Sequence, residues 1–193
     1  MSYKVRFVNY PEQYRRIEGE LDEAVKRVLR GGDFILRRDV DEFEAGMAAY
    51  LGVKHAIGLN SGTDALYFSL LAAGVAPGDE VITVAHTFLA TVGAVVNCGA
   101  TPVLVDVGKD YNMDTDLAAA AVTTRTKAII PVHLNGRMCD MGAVMALAER
   151  HGLVVIEDAA QSLGARFRGK LAGSFGLMAC YSFYPAKILG TAG

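Results

Sequence analysis

Six short apolar runs alternate with helix-like stretches over most of this chain, and that alternation limits its fold more than any other feature. The runs cover residues 55–59, 80–84, 102–107, 128–133, 153–156 and 178–183. Between them lie stretches of helical character at 64–73, 88–98, 114–123 and 140–151, several of which open on aspartate, a good helix N-cap. Strands that are apolar throughout are buried on both faces. Separated by helices, they imply βαβ units and a largely parallel sheet. The expected fold class is α/β, a mostly parallel sheet between helices in three α/β/α layers. Ahead of this pattern, residues 12–30 read as an amphipathic helix, with Tyr14, Ile17, Leu21, Val25 and Val28 at helical spacing and Gly31-Gly32 as its left-handed stop. A second helix is expected over 39–51, with Val40, Phe43, Met47 and Tyr50 on one face. The glycine-rich stretch 163–176 reads as a loop. Residues 1–30 are thus set apart as an N-terminal helical segment, and 31–193 as one large domain.

In sheets of this kind ligands bind beyond the carboxyl ends of the strands. Ser61-Gly62-Thr63, His86-Thr87-Phe88, His133-Leu134-Asn135, Asp158 and the turn from Ser182 to Lys187 all lie at such ends, so they are expected on one rim. Bulk properties narrow the partners. A net charge of -2 gives no reason to expect nucleic acid or an anionic membrane. Cys98, Cys139 and Cys180 are odd in number and form no CxxC pair, which argues against a disulfide framework or a zinc site and fits a reducing cytoplasm. No apolar stretch is long enough to span a bilayer, and residues 1–16 lack the apolar core of a signal peptide.

A lysine, an aspartate and a serine at the ends of buried strands are the parts that pyridoxal 5'-phosphate (PLP) requires: an amine for its aldehyde, a carboxylate for its ring nitrogen and donors for its phosphate. Each residue also has a plainer reading. Asn60-Ser61-Gly62-Thr63-Asp64 joins a strand to a helix, where unpaired N–H groups and a hydroxyl face an anion or simply form an N-cap. Asp158 closes an aliphatic strand, either facing a pyridine nitrogen or serving as a structural carboxylate. Gln161 lies within reach of a ring oxygen or is a solvated polar residue. Lys187 is a Schiff-base lysine, which must shed its proton near neutral pH, or a solvated surface lysine. Ser182, on the same turn, offers the phosphate a hydroxyl. Phe88 stacks on the pyridine face or belongs to the core. His86 and His133 orient substrate or are structural. There is no metal-ligand spacing, no nucleophile elbow and no GxGxxG after a strand.

Five segments together resemble one family. They are Asn-Ser-Gly-Thr-Asp-Ala-Leu at 60–66, Pro-Gly-Asp-Glu-Val-Ile at 77–82, His-Thr-Phe-Leu-Ala-Thr at 86–91, Glu-Asp-Ala-Ala-Gln-Ser at 157–162 and Ser-Phe-Tyr-Pro-Ala-Lys-Ile-Leu-Gly at 182–190. The pattern is similar to the DegT/DnrJ/EryC1/StrS family of PLP-dependent sugar aminotransferases, which have fold type I, the aspartate aminotransferase-like fold. The resemblance implies that 31–193 is a PLP-binding large domain. It assigns Lys187 to capture of the cofactor aldehyde, Asp158 to the ring nitrogen, Gln161 to the 3-oxygen, Gly62, Thr63 and Ser182 to the phosphate, and Phe88 to ring stacking. Residues 31–37 resemble the family's substrate-side segment. The reaction implied is transamination of a nucleotide-linked keto-sugar, 3-keto favoured over 4-keto, with L-glutamate as amino donor, in a cytoplasmic homodimer making amino sugars. Lys187 stands where the family's dehydratases carry histidine, which argues against that branch. Family members are about twice this length, so the resemblance also implies a truncated member without the small C-terminal domain. The alternative expectation is a non-catalytic PLP-fold module with a regulatory or structural role.

Overall fold

The computed structural model describes residues 4–5, 8–32 and 34–191. Two helices lead the chain, α1 (Tyr10–Gly31) and α2 (Arg38–Leu51). Helix α1 stops at Gly32, whose φ of 67° lies in the left-handed region that glycine enters without steric penalty. None of its residues is buried. Helix α2 touches later parts of the chain. Its Glu44 accepts the Gly58 N–H at 2.6 Å, and Phe43 meets Phe183 edge-on at 5.2 Å.

Four more helices follow: α3 (Gly62–Ala72), α4 (Leu89–Asn97), α5 (Thr115–Ala120) and α6 (Met141–His151). They alternate with β1 (Glu80–Val84), β2 (Thr101–Val105), β3 (Thr126–Ile129), β4 (Val154–Asp158) and β7 (Met178–Cys180). These five strands form one sheet in the order β2-β1-β3-β4-β7, with every neighbouring pair parallel. Successive strand residues face opposite ways, so the sheet has two cores. On one side Val81, Ile130 and Ile156 pack with Leu66 and Leu70 of α3 and Val95 of α4. On the other, Ile82, Ile129 and Val155 pack with Ala118 of α5 and Val144 and Leu147 of α6. The architecture is the expected three-layer α/β/α.

The sequence pattern fails in four places. The run 55–59 is not a strand. No strand lies beside it among the described residues, its one anchored amide (Gly58) goes to a side chain, and Ile57 is 77% exposed. An apolar run becomes a strand only where a neighbour can take up its backbone groups. The run 128–133 pairs regularly only to Ile129 and then reaches Pro131, which has no N–H to donate to a ladder. Helix α5 is shorter than its 114–123 pattern. The stretch 163–176 contains a small hairpin, β5 (Arg166–Phe167) with β6 (Lys170–Leu171), turned through Arg168 and Gly169, both at positive φ. Of the 31–37 stretch, Asp33 lies outside the described residues, and Phe34, Ile35 and Leu36 are exposed.

Candidate active site

The carboxyl ends of the strands open into a broad cleft of about 1470 Å³. Its lining includes Ser61, Gly62, Thr63, Thr87, Phe88, Asp158, Gln161, Ser182 and Lys187. The seven residues that the resemblance assigns to the cofactor therefore all border the same space, whereas His86, also expected on this rim, does not.

One end of the cleft gathers amide and hydroxyl donors. Helix α3 begins after Ser61, whose Oγ accepts the Asp64 N–H at 3.1 Å and donates to Asp64 Oδ2 at 2.8 Å. The Ser61 hydroxyl proton is therefore engaged locally. The backbone N–H groups of Gly62 and Thr63 have no partner among the described residues, and neither does the Thr63 hydroxyl. Ser182 comes up against this turn. A Cβ on Gly62 would lie 2.9 Å from Tyr181 O and 3.0 Å from Ser182 Cβ, so only glycine lets the two segments close to this distance. Ser182 Oγ accepts the Tyr184 N–H at 3.3 Å, which leaves its proton available to a ligand. Two helix-terminal amides and two hydroxyls suit a phosphate, with the helix dipole adding roughly 0.3–1 kcal/mol.

The floor of the cleft is Asp158, at the end of β4 and 6% exposed. Its Oδ2 accepts the Thr91 hydroxyl at 2.7 Å and its Oδ1 the Ala160 N–H at 3.2 Å. An ionised carboxylate offers about four acceptor sites, so the capacity to receive a further donor remains. Burial pushes the Asp158 carboxyl above its ordinary range, against the opposing pulls of Thr91, Ala160, His133 and Lys187. Lys187 thus lies within electrostatic reach of Asp158. It sits on the turn beyond β7, where its N–H bonds Tyr184 O at 2.8 Å, and its ammonium has no hydrogen bond or ion pair among the described residues.

Gln161 is oriented by its own carbonyl. Oε1 accepts the Asn135 N–H at 2.8 Å, so its amide NH2 is the part left for a ligand. Asn135 holds φ of 54°, a left-handed conformation that asparagine adopts more readily than most residues. Phe88 is the N-cap of α4 and is 70% exposed at the cleft, so it is not a core residue.

The two histidines part company. His86 is exposed and meets Tyr111 edge-on at 6.2 Å. His133 belongs to the cleft wall but is fully buried, with both ring nitrogens engaged inside the protein: its Nε2 lies 3.0 Å from Glu157, while its Nδ1 accepts the Cys139 N–H at 3.3 Å. With Nδ1 accepting that amide, Nε2 carries the proton that is donated to Glu157. Glu157 also accepts from Gly173, Phe175 and Gly176. Burial raises its pKa, but the His133 and backbone donors outweigh burial and hold the carboxyl below its ordinary range. Thr91 is the site residue that carried no role in the sequence reading. Its spacing of four from Thr87, within the quoted 86–91 segment, is the signal that could have marked it. The cysteines are free and buried, and burial pushes the Cys139 thiol up to about 11 and Cys180 up to about 12, so neither is a poised nucleophile. Among the described residues there is no cluster of three or more metal-ligating side chains, and no helix is long and apolar enough to cross a membrane.

Known proteins are similar to this chain in sequence and in fold. The chain is 50% identical over 190 residues to a pleiotropic regulatory protein of Geobacillus stearothermophilus, covering 98% of this chain and 51% of that one. It is 46% identical over 191 residues to the dTDP-3-amino-3,4,6-trideoxy-alpha-D-glucose transaminase of Streptomyces venezuelae, covering 98% and 50%. Its fold superposes on the crystal structure of S. venezuelae DesV in complex with a ketimine intermediate with a TM-score of 0.96 at 45% identity, covering 100% of this chain and 52% of that one. The chain spans about half the length of the curated relatives it matches. The profile of the DegT/DnrJ/EryC1/StrS aminotransferase family matches residues 15–193, and the chain belongs to that family.

Proposed function

We propose that this chain carries the cofactor half of a PLP-dependent aminotransferase acting on a nucleotide-linked keto-sugar, with L-glutamate as amino donor. The carrying observation is the buried, incompletely satisfied Asp158 in electrostatic reach of an otherwise unpartnered Lys187 within one cleft. The residues present fit the cofactor. Gly62, Thr63 and Ser182 form a cradle whose closure a Cβ at 62 would prevent, Asp158 retains acceptor capacity, and the Gln161 NH2 is unengaged.

When bound, PLP supplies an aldehyde for an amine and a protonated ring that withdraws electrons from the substrate's α-carbon. Asp158 would accept the ring N–H and keep that proton in place. Gln161 would donate to the 3-oxygen, and Phe88 would cover one ring face. The Gly62 and Thr63 N–H groups with the Thr63 and Ser182 hydroxyls would hold the phosphate. Lys187 would supply the amine for the aldehyde, and its Nζ would serve as general base for the substrate's α-proton and then as general acid in returning it. Relatives that aminate 3-oxo sugars, among them the UDP-2-acetamido-2-deoxy-3-oxo-D-glucuronate aminotransferase of Pseudomonas aeruginosa at 46% identity, support a 3-keto substrate over a 4-keto one. A cytoplasmic homodimer remains the assembly we favour.

The regulatory name of the Geobacillus relative supports a second reading, a non-catalytic module of the same fold. The half-reaction separates the two. With PLP-loaded protein, L-glutamate is expected to bleach the visible cofactor band and release one 2-oxoglutarate per site. Binding of PLP without that release would favour the module. Borohydride is expected to fix the cofactor to Lys187, and labelling of another amine, or of the Lys187→Ala protein, would overturn the assignment.

A further inference from the structure

We propose that Thr91 is the positioning residue for Asp158: its hydroxyl clamps the carboxylate plane and holds it ionised for a cationic partner in the cleft. The proposal rests on the cofactor role assigned to Asp158 above, and its tests are chosen to separate the two.

The geometry begins in the turn that starts α4. Phe88 caps the helix, and the first turn carries Thr91 inward to a site where it is fully buried. This is the sheet face on which Ile156 packs, and by strand alternation Asp158 shares that face. The Thr91 hydroxyl meets Asp158 Oδ2 at 2.7 Å, while the Ala160 N–H meets the other oxygen at 3.2 Å. Two donors on different oxygens, one from α4 and one from the chain just past β4, stop the carboxylate from turning about its Cβ–Cγ bond.

A threonine hydroxyl has one proton. With that proton directed to Asp158, the 2.8 Å contact between Thr87 and Thr91 must run from Thr87 Oγ1–H to Thr91 Oγ1. Thr87 borders the cleft, so a chain of hydroxyls runs from its wall to its floor, each bond polarising the next toward the carboxylate. The titratable groups near Asp158 are Cys180, its register neighbour on β7, Lys187 beyond it and, bonded to Glu157 on the other side of β4, His133 at the end of the β3 run. His133 is committed to Glu157 and Lys187 to the aldehyde under the proposed function. Thr91 is the neutral donor that stays in place whichever state the lysine is in.

The test is a carboxyl titration followed by carbon-13 NMR on cofactor-free protein labelled at aspartate, with Asp158→Asn identifying the resonance. Thr91→Val, which keeps the shape and removes the hydroxyl, is expected to raise the Asp158 midpoint by about one pH unit, as for loss of one hydrogen bond to a charged group. Thr91→Ser is expected to restore it. An unchanged midpoint in the valine variant, or failure of serine to restore a raised one, overturns the proposal. Should Thr91→Val not fold, Thr87→Val carries the test, with a smaller rise expected and no rise counting against it. PLP dissociation constants are then measured against pH, and the valine variant is expected to bind roughly tenfold more weakly where its carboxyl is protonated and the wild type's is not. A shifted carboxyl midpoint with PLP affinity indifferent to both Thr91→Val and Asp158→Asn upholds the Thr91 contact and removes Asp158 from the cofactor site.

Discussion

Glu157 and Asp158 are consecutive on β4 and both are buried, yet they face opposite cores and receive different numbers of donors. Glu157 looks toward α6, where His133, Gly173, Phe175 and Gly176 fill its four acceptor sites at 2.7–3.0 Å. Asp158 looks toward α4 and the cleft, with two donors and room for more. The electrostatic outcome follows the count. Glu157 is held below the ordinary carboxylate range in spite of burial, and Asp158 is pushed above it. A saturated carboxylate ties structure together, in this case the wall segment 173–176 to β4. An unsaturated one is left for a ligand to complete.

Removing one charge at a time separates the two carboxylates most forcefully. Asp158→Asn is expected to slow the glutamate half-reaction by about 10²–10³-fold, as for removal of one preorganised electrostatic group. Its fold should survive, because the Thr91 hydroxyl can turn to accept from the new amide. Stopped-flow absorbance checks the rate. An unchanged rate would make Asp158 a structural carboxylate like its neighbour. Glu157→Gln should do the reverse. Its NH2 would face fixed N–H donors, and His133 cannot switch tautomer without losing the Cys139 N–H. A stability loss of about 3 kcal/mol is expected, in the range for breaking a buried charge interaction. Urea unfolding measures it. A stable Glu157→Gln protein with a crippled half-reaction would exchange the two roles.

A milder perturbation reaches the same wall. Gly176 donates to Glu157, and a Cβ there would lie 2.5 Å from Val155 O, so Gly176→Ala must push the segment off β4. A destabilisation of about 1–3 kcal/mol is expected, as for one buried charge left short of a donor. Equal unfolding midpoints for the variant and the wild type would mean that the Glu157 donors are not what fixes this wall.

How much of this was legible in the sequence follows from the range of the interactions. The sheet and the rim could be read because strand–helix alternation is local, and so could Asp158, Gln161 and Lys187 as candidates, since each follows an apolar run. That Glu157 and Asp158 face opposite ways is implicit in the two-residue period. Which of them faces the cleft depends on which side α4 docks, and that is set by packing of Val95 and Ala94 far from residue 158. The backbone donors to Glu157 come from 16 to 19 residues later in a glycine-rich stretch, where composition indicates only irregular backbone. The run 55–59 satisfied the apolar criterion for a strand, but a strand also needs a partner, and none lies beside it among the described residues. Thr91 sits inside a segment read as helix and is marked only by its spacing from Thr87.

The smallest effect is also the sharpest, because the two carboxylates should leave opposite marks on stability against pH. Glu157 has a folded pKa below its unfolded value, so its contribution is fully present above the unfolded value and is lost as pH falls through the folded one. Asp158 has a folded pKa above its unfolded value, so its charge opposes folding increasingly as pH rises from the unfolded value through the folded one. Asp158→Asn should therefore unfold at a slightly higher temperature than the wild type near pH 7, by a degree or a few, on the order of 1 kcal/mol for a domain of this size. The gain should shrink as pH falls through the folded value towards the ordinary aspartate range, where the wild-type carboxyl takes up its proton. Calorimetry near pH 7 and in that lower range checks this, and saturating PLP should reverse the sign near pH 7, because the ring nitrogen then partners the charge that the variant lacks. A variant equally stable at both pH values would mean that Asp158 is not strained by its burial, and the contrast with Glu157 would then reduce to one of position alone.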